Sequence, residues 1–80
     1  MKYVYLLRSQ SHPNKTYIGC TQDFQNRLKQ HNDGDSTHTS RFTPWQPEVV
    51  VRFEDDNKAQ SFERYLKSGS GHAFAKRHFW

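Results

Sequence analysis

One cysteine, three prolines and four glycines stand in a chain of 80 residues. A lone cysteine, Cys20, excludes an internal disulfide framework and fits a reducing compartment such as the cytoplasm. Closely spaced Cys and His ligands are missing as well, which argues against structural zinc. Long apolar runs are absent. The run Tyr3 to Leu7 ends at Arg8, short of the roughly 20 apolar residues of a membrane span and of a secretory signal; a membrane partner is not expected. Hydrophobic residues make up only 32% of the chain, yet aromatic rings make up 15%. The core must then be built from a few large rings, each burying about 150–250 Å². A chain of this length buries only about 60–65% of its unfolded surface, so every polar residue aimed at the core needs a reason.

What is present is basic charge. Twelve Lys and Arg against eight Asp and Glu leave a formal charge of +4, a bias toward polyanions, because each neutralised phosphate releases condensed counterions. The length allows one domain, residues 1–80. Residues 3–7 read as a strand, Pro13-Asn14 as a turn, and Thr16 to Cys20 as a second strand, together a hairpin. Tyr3, Tyr5 and Leu7 share one face of the first strand, Tyr17 and Gly19 one face of the second. Thr21 is a candidate N-cap, with Asp23 in the first turn of a helix from about Gln22 to Asn32. A long polar loop, Asp33 to Gln46, follows; such loops are often functional. Pro47 leads into a third strand carrying Val49, Val51 and Phe53. Asn57 with Gln60 suggests a capping box for a second helix reaching about Lys67, which Gly69-Ser70-Gly71 breaks. The tail from His72 to Trp80 reads as one more helical turn or a mobile end. The expected fold is α+β: a small, mainly antiparallel three-stranded sheet flanked by helices, in the order β-β-α-β-α.

The helices carry polar residues where apolar ones belong. At about 100° per residue, Phe24 and Leu28 lie roughly 40° apart, with Arg27 and His31 in the same arc. On the second helix, Glu63 sits at the edge of the stripe formed by Ala59, Phe62 and Leu66. Each case has an ordinary explanation: Arg27 and His31 reaching to water from the flanks, Glu63 pairing with Lys67 at i+4. Taken together, the set suits phosphodiester cleavage. A carboxylate can hold Mg²⁺, a guanidinium can neutralise phosphoryl charge, and a phenol or imidazole can move a proton.

Tyr3-Val4-Tyr5, Tyr17-Ile18-Gly19, Arg27, His31 and Glu63, in that order, resemble the landmarks of the GIY-YIG nuclease superfamily over nearly the whole chain. That superfamily includes the incision domain of the bacterial excision-repair nuclease, homing endonucleases and several restriction enzymes; the likeness is greatest to short stand-alone bacterial members. It implies Tyr5 as general base, Tyr17 orienting water or phosphate, and Gly19 small so that a phosphate or Arg27 can approach. It further implies Arg27 stabilising the phosphorane, His31 assisting proton transfer or holding a tyrosine hydroxyl, and Glu63 as the sole protein ligand of Mg²⁺, for which Mn²⁺ could substitute. Tyr5 can serve as a base near pH 7 only where cations or the metal lower its reference pKa of about 10. Three positions depart from the pattern: Tyr3 replaces a glycine, Cys20 replaces the lysine of the repair nuclease, and Gly69-Ser70-Gly71 offers no late asparagine. Cys20 reads as a buried strand residue.

The implied activity is a Mg²⁺-dependent DNA endonuclease of little sequence specificity, preferring single-stranded or branched DNA. A catalytically weak nucleic-acid-binding module acting with a partner is the alternative, and RNA a third substrate class. Arg41, Trp45, Lys67, Lys76 and Arg77 are candidate nucleic-acid contacts. Trp45 and Phe42 either stack on unpaired bases, at about 1–3 kcal/mol each, or close the core over the sheet.

Overall fold

The computed structural model describes residues 1–80. Its elements are β1 (Lys2–Ser9), β2 (Thr16–Thr21), α1 (Phe24–Asn32), a short 3₁₀ turn (Ser40–Phe42), β3 (Trp45–Phe53), α2 (Asp56–Leu66) and α3 (Gly69–His78). The sheet is antiparallel throughout, in the order β2-β1-β3. The α+β fold read from the sequence is present, with one helix more than its β-β-α-β-α order.

The central strand is the most apolar, and four consecutive residues, Val4 to Leu7, are buried because both its faces are covered. Alternation divides them between two clusters. Val4 and Leu6 pack with Ala59, Leu66 and Ala75 beneath α2 and α3. Tyr5 and Leu7 pack with Trp45, Tyr17, Phe24, Leu28 and Phe42 beneath α1 and the polar loop. β3 begins at Trp45 rather than after Pro47. Leu6 pairs with Val49 but Leu7 with Pro47, so the register shifts there. An edge strand tolerates both a proline and an irregularity.

The helix starts differ from those expected. Asp23, not Thr21, caps α1, accepting from the Asn26 amide at 3.1 Å. Thr21 is still the last residue of β2, and its hydroxyl accepts from the Asp23 amide instead. Asp55, not Asn57, caps α2, its Oδ1 accepting from the amides of Asn57 and Lys58. In both cases a carboxylate takes the free amides at the positive end of the helix, the stronger arrangement.

α2 ends at Leu66, with Lys67 as its C-cap, before Gly69-Ser70-Gly71 is reached; that triplet does not break a helix but forms the first turn of α3, so the tail is a full helix. Ser68 caps it by accepting from the Gly71 amide. A Cβ on Gly71 would collide with the Tyr65 carbonyl and lie 2.8 Å from Leu66 Cα. The missing side chain lets α3 fold back against α2 instead of trailing into solvent.

Candidate active site

Tyr5 and Gly19 are register partners across the hairpin. The tyrosine is buried, and its ring lies over Gly19: a Cβ there would come within 2.5 Å of Tyr5 Cζ and 3.0 Å of Tyr17 Cε2. The expectation that Gly19 is small to admit a phosphate or Arg27 is therefore corrected. The space is taken by the Tyr5 ring, whose hydroxyl is carried across β2 as a result.

That hydroxyl meets α1. Tyr5 Oη lies 3.1 Å from His31 Nε2, and His31 Nδ1 lies 2.8 Å from Thr39 Oγ1. All three residues are buried. Thr39 Oγ1 donates to the Ser36 carbonyl over a long 3.5 Å. A hydroxyl that donates there accepts from His31 Nδ1–H, leaving Nε2 as the acceptor for the Tyr5 phenol. The Tyr17 ring meets the imidazole edge-on at a centroid separation of 4.8 Å. His31 thus does not reach to water from the flank of its helix.

The loop that supplies Thr39 is anchored at both ends. Asn32, at the end of α1, clasps the backbone of Trp45: its Oδ1 accepts from the Trp45 amide at 2.6 Å and its Nδ2 donates to the carbonyl at 3.2 Å. The Trp45 indole donates to the Thr39 carbonyl at 2.8 Å. Of the two readings of Trp45, the structure gives the core one, with the ring 4% exposed.

Arg27 is half-buried one turn before His31 and donates to Gln30 Oε1 at 2.9 Å. The Tyr5 hydroxyl chiefly, and the Tyr17 hydroxyl after it, push the guanidinium above its ordinary pKa, so it is a fixed positive charge. Burial, and then Arg27, hold His31 below its ordinary value, which keeps the imidazole neutral. Tyr5 is pushed up to about 12 by burial, against the opposing pull of Arg27. The shift runs opposite to what a base needs. As it stands, Tyr5 is a protonated phenol that donates to His31.

Glu63 approaches from α2, partly buried, and its charge is felt at both Tyr5 and Cys20. Its Oε2 accepts from Lys67 Nζ at 3.0 Å. Lys67, a candidate nucleic-acid contact, is thus paired with the carboxylate, as its i+4 spacing suggests. No three His, Cys, Asp or Glu residues gather as a ligand cluster. A single carboxylate fits an ion that keeps most of its water, as Mg²⁺ does, better than one that demands a protein cage.

Tyr5, Tyr17, Gly19, Arg27 and His31 form one contiguous group, with Glu63 in electrostatic contact. Arg41, Lys76 and Arg77 are exposed, and no hydrogen bond, ion pair or ring contact ties them to it. Cys20 is only partly buried, on the Glu63 side of β2. Sequence reasoning passed over Thr39 and Asn32. Both lie in or beside a polar stretch where a threonine or an asparagine has no periodic signal, and only the loop length hinted at a role.

The chain was also compared with known proteins. The model of the GIY-YIG catalytic domain matches residues 1–77. The chain is 39% identical over 82 aligned positions, 94% of its length, to a protein of Debaryomyces hansenii named structure-specific endonuclease subunit SLX1. The proteins of the same name from Candida dubliniensis and Malassezia globosa are 38% identical over 94% of the chain and 48% identical over 59%. The chain spans 22%, 27% and 11% of the lengths of these three relatives, respectively. With the family model covering all but the last three residues, this chain belongs to the GIY-YIG nuclease family and is a catalytic domain of it.

Proposed function

We propose that residues 1–80 act as a divalent-metal-dependent endonuclease domain that hydrolyses phosphodiester bonds in DNA, with little sequence specificity. The observation that carries this reading is the buried chain Tyr5–His31–Thr39 lying against the fixed charge of Arg27. A binding module has no use for a dry proton path, which costs desolvation to build. The words structure-specific in the relatives' names support a preference set by the form of the nucleic acid, in keeping with single-stranded or branched DNA, and the word subunit supports action alongside a partner protein.

Arg27 binds a nonbridging oxygen of the scissile phosphate and stabilises the charge that develops there. Tyr17, half-exposed beside His31, orients the attacking water. Tyr5 delivers its proton to His31 Nε2 as it takes one from that water, whose oxygen bonds to phosphorus. The P–O bond to the leaving oxygen breaks, and that oxygen takes a proton from solvent. The high pKa of Tyr5 is therefore overcome only while charge is developing next to it. Thr39 holds the imidazole in the tautomer this transfer needs. Glu63 would hold Mg²⁺, or Mn²⁺ in its place, and release Lys67 to the substrate. The bound ion supplies positive charge that acidifies a neighbouring hydroxyl or water and offsets phosphate charge. No helix of the protein is long and apolar enough to cross a membrane, and the single unpaired cysteine suits a reducing, cytoplasmic setting.

The test uses labelled single-stranded, duplex and branched DNA, with and without Mg²⁺. Cleavage that requires the metal and is lost in Glu63→Gln, while binding persists, is the expected result. Cleavage of RNA in preference to DNA would reassign the substrate. Binding without metal-dependent cleavage of any substrate would overturn the enzyme in favour of the binding module.

A further inference from the structure

Beside Glu63 lies a shallow cavity of about 290 Å³ lined by Lys2, Cys20, Gln60, Glu63 and Arg64. Its lining comes from three elements, the start of β1, the end of β2 and the middle of α2, so the convergence is a product of the fold. Two of the five residues are cations. Lys2 and Arg64 make no ion pair or side-chain hydrogen bond, and neither does Gln60, whereas Arg8, Lys29, Arg52 and Lys67 are each paired with an acid. Lys2 is partly buried and Arg64 exposed.

The acids that could cancel these cations are otherwise engaged. Glu63 is paired with Lys67 at 3.0 Å, and Asp56, the other acid near Lys2, is held by the N-terminal ammonium at 2.6 Å. The cavity therefore presents two free cations and an amide around one side of the carboxylate. That is a donor set for an anion with several oxygens. Glu63 itself lines the cavity, so the two cations stand beside the carboxylate of the candidate active site.

We propose that Lys2, Gln60 and Arg64 form a subsite for a phosphate adjoining the scissile one, so that the nucleic-acid strand runs from Arg27 and Tyr5 past Glu63 to the start of β1. The inference rests on the nuclease reading and adds a direction to it. The cluster at Tyr5 holds the phosphate that reacts; the cavity fixes the neighbouring phosphate and with it the strand's register over Glu63. Two backbone contacts in line, and none to bases, also account for cutting without sequence preference.

The experiment pairs a protein change with a substrate change. The protein carrying Lys2→Gln and Arg64→Gln is compared with wild type and with Lys58→Gln, which removes an exposed cation elsewhere on α2. Each is given oligonucleotides in which one phosphate at a time is a neutral methylphosphonate. Wild type should lose about ten- to hundredfold in kcat/KM at one position beside the scissile phosphate, the worth of a charge-assisted hydrogen bond. The double variant should cleave the unmodified strand more slowly and be indifferent to that substitution, while Lys58→Gln keeps the wild-type pattern. The log–log salt slope of binding by the double variant should be shallower by about 0.7–0.9 for each phosphate it no longer neutralises. Arg64→Gln alone, at an exposed position that does not threaten folding, should show a partial effect of the same kind. A double variant that still cleaves and keeps the wild-type sensitivity at every flanking phosphate overturns the subsite and leaves the nuclease reading standing. Absence of metal-dependent cleavage by wild type overturns both.

Discussion

Tyr5 and Gly19 face each other across the β1–β2 hairpin, and the tyrosine ring occupies the space that any side chain at residue 19 would fill. This places the phenol against His31 at 3.1 Å and keeps it away from bulk water. The small residue of the second motif and the large residue of the first are one device.

Gly19→Ala should therefore be costly at a position where an added methyl looks harmless on a strand. The Tyr5 ring cannot shift without leaving His31, so overpacking of about 1–3 kcal/mol is expected. Denaturant unfolding measures it, and cleavage should fall further than the loss of folded protein explains. An unchanged midpoint with unchanged activity would contradict the packing described.

Thr39 is the residue at the end of the buried hydrogen-bonded chain from Tyr5 through His31 that no motif marks. Thr39→Val keeps the shape but leaves His31 Nδ1 without its partner, at about 1–2 kcal/mol for an unsatisfied buried donor. Thr39→Ser should restore both stability and rate. If the valine variant cleaves at the wild-type rate, the tautomer it is said to hold has no part in the reaction.

His31 gives a pH dependence with a definite sign. Its pKa in the folded protein lies below 6.5, while in the unfolded chain it is ordinary. Between those two values the unfolded state binds more protons, so stability falls as pH drops below about 6.5. Urea titrations from neutral to acid pH should show this component in wild type and not in His31→Gln. The carboxylates contribute equally to both proteins and cancel in the comparison. Two parallel stability profiles would show that His31 is not held neutral.

Trp45 separates core from recognition. It is enclosed by Phe42 and hydrogen-bonded to the Thr39 carbonyl. Trp45→Ala should cost about 3–5 kcal/mol, with affinity per folded molecule for single-stranded DNA unchanged. A loss of affinity in a protein of wild-type stability would restore the stacking role.

The amino-acid sequence by itself determined the hairpin, the face shared by Tyr5 and Leu7, and the presence of Arg27, His31 and Glu63 at helix positions where apolar residues belong. These are local matters, set by the two-residue period of a strand and the 3.6-residue period of a helix. It also held the ordered landmarks of the GIY-YIG family. The helix caps and the last helix were not legible in the same way. Competition between Thr21 and Asp23, or Asn57 and Asp55, is settled by where the preceding strand ends, and Gly71 reads as a breaker until α2 lies against it.

Only the tertiary structure decided what Gly19 makes room for, which group orients His31, and which way the Tyr5 pKa moves. Each depends on atoms distant in sequence: Thr39 reaches His31 because Asn32 and Trp45 close the loop between them. Desolvation, the largest influence on Tyr5, is a sum over everything packed around the ring. A motif can name a tyrosine, but the surroundings that keep its proton in place are assembled from α1, the polar loop and both strands of the hairpin at once.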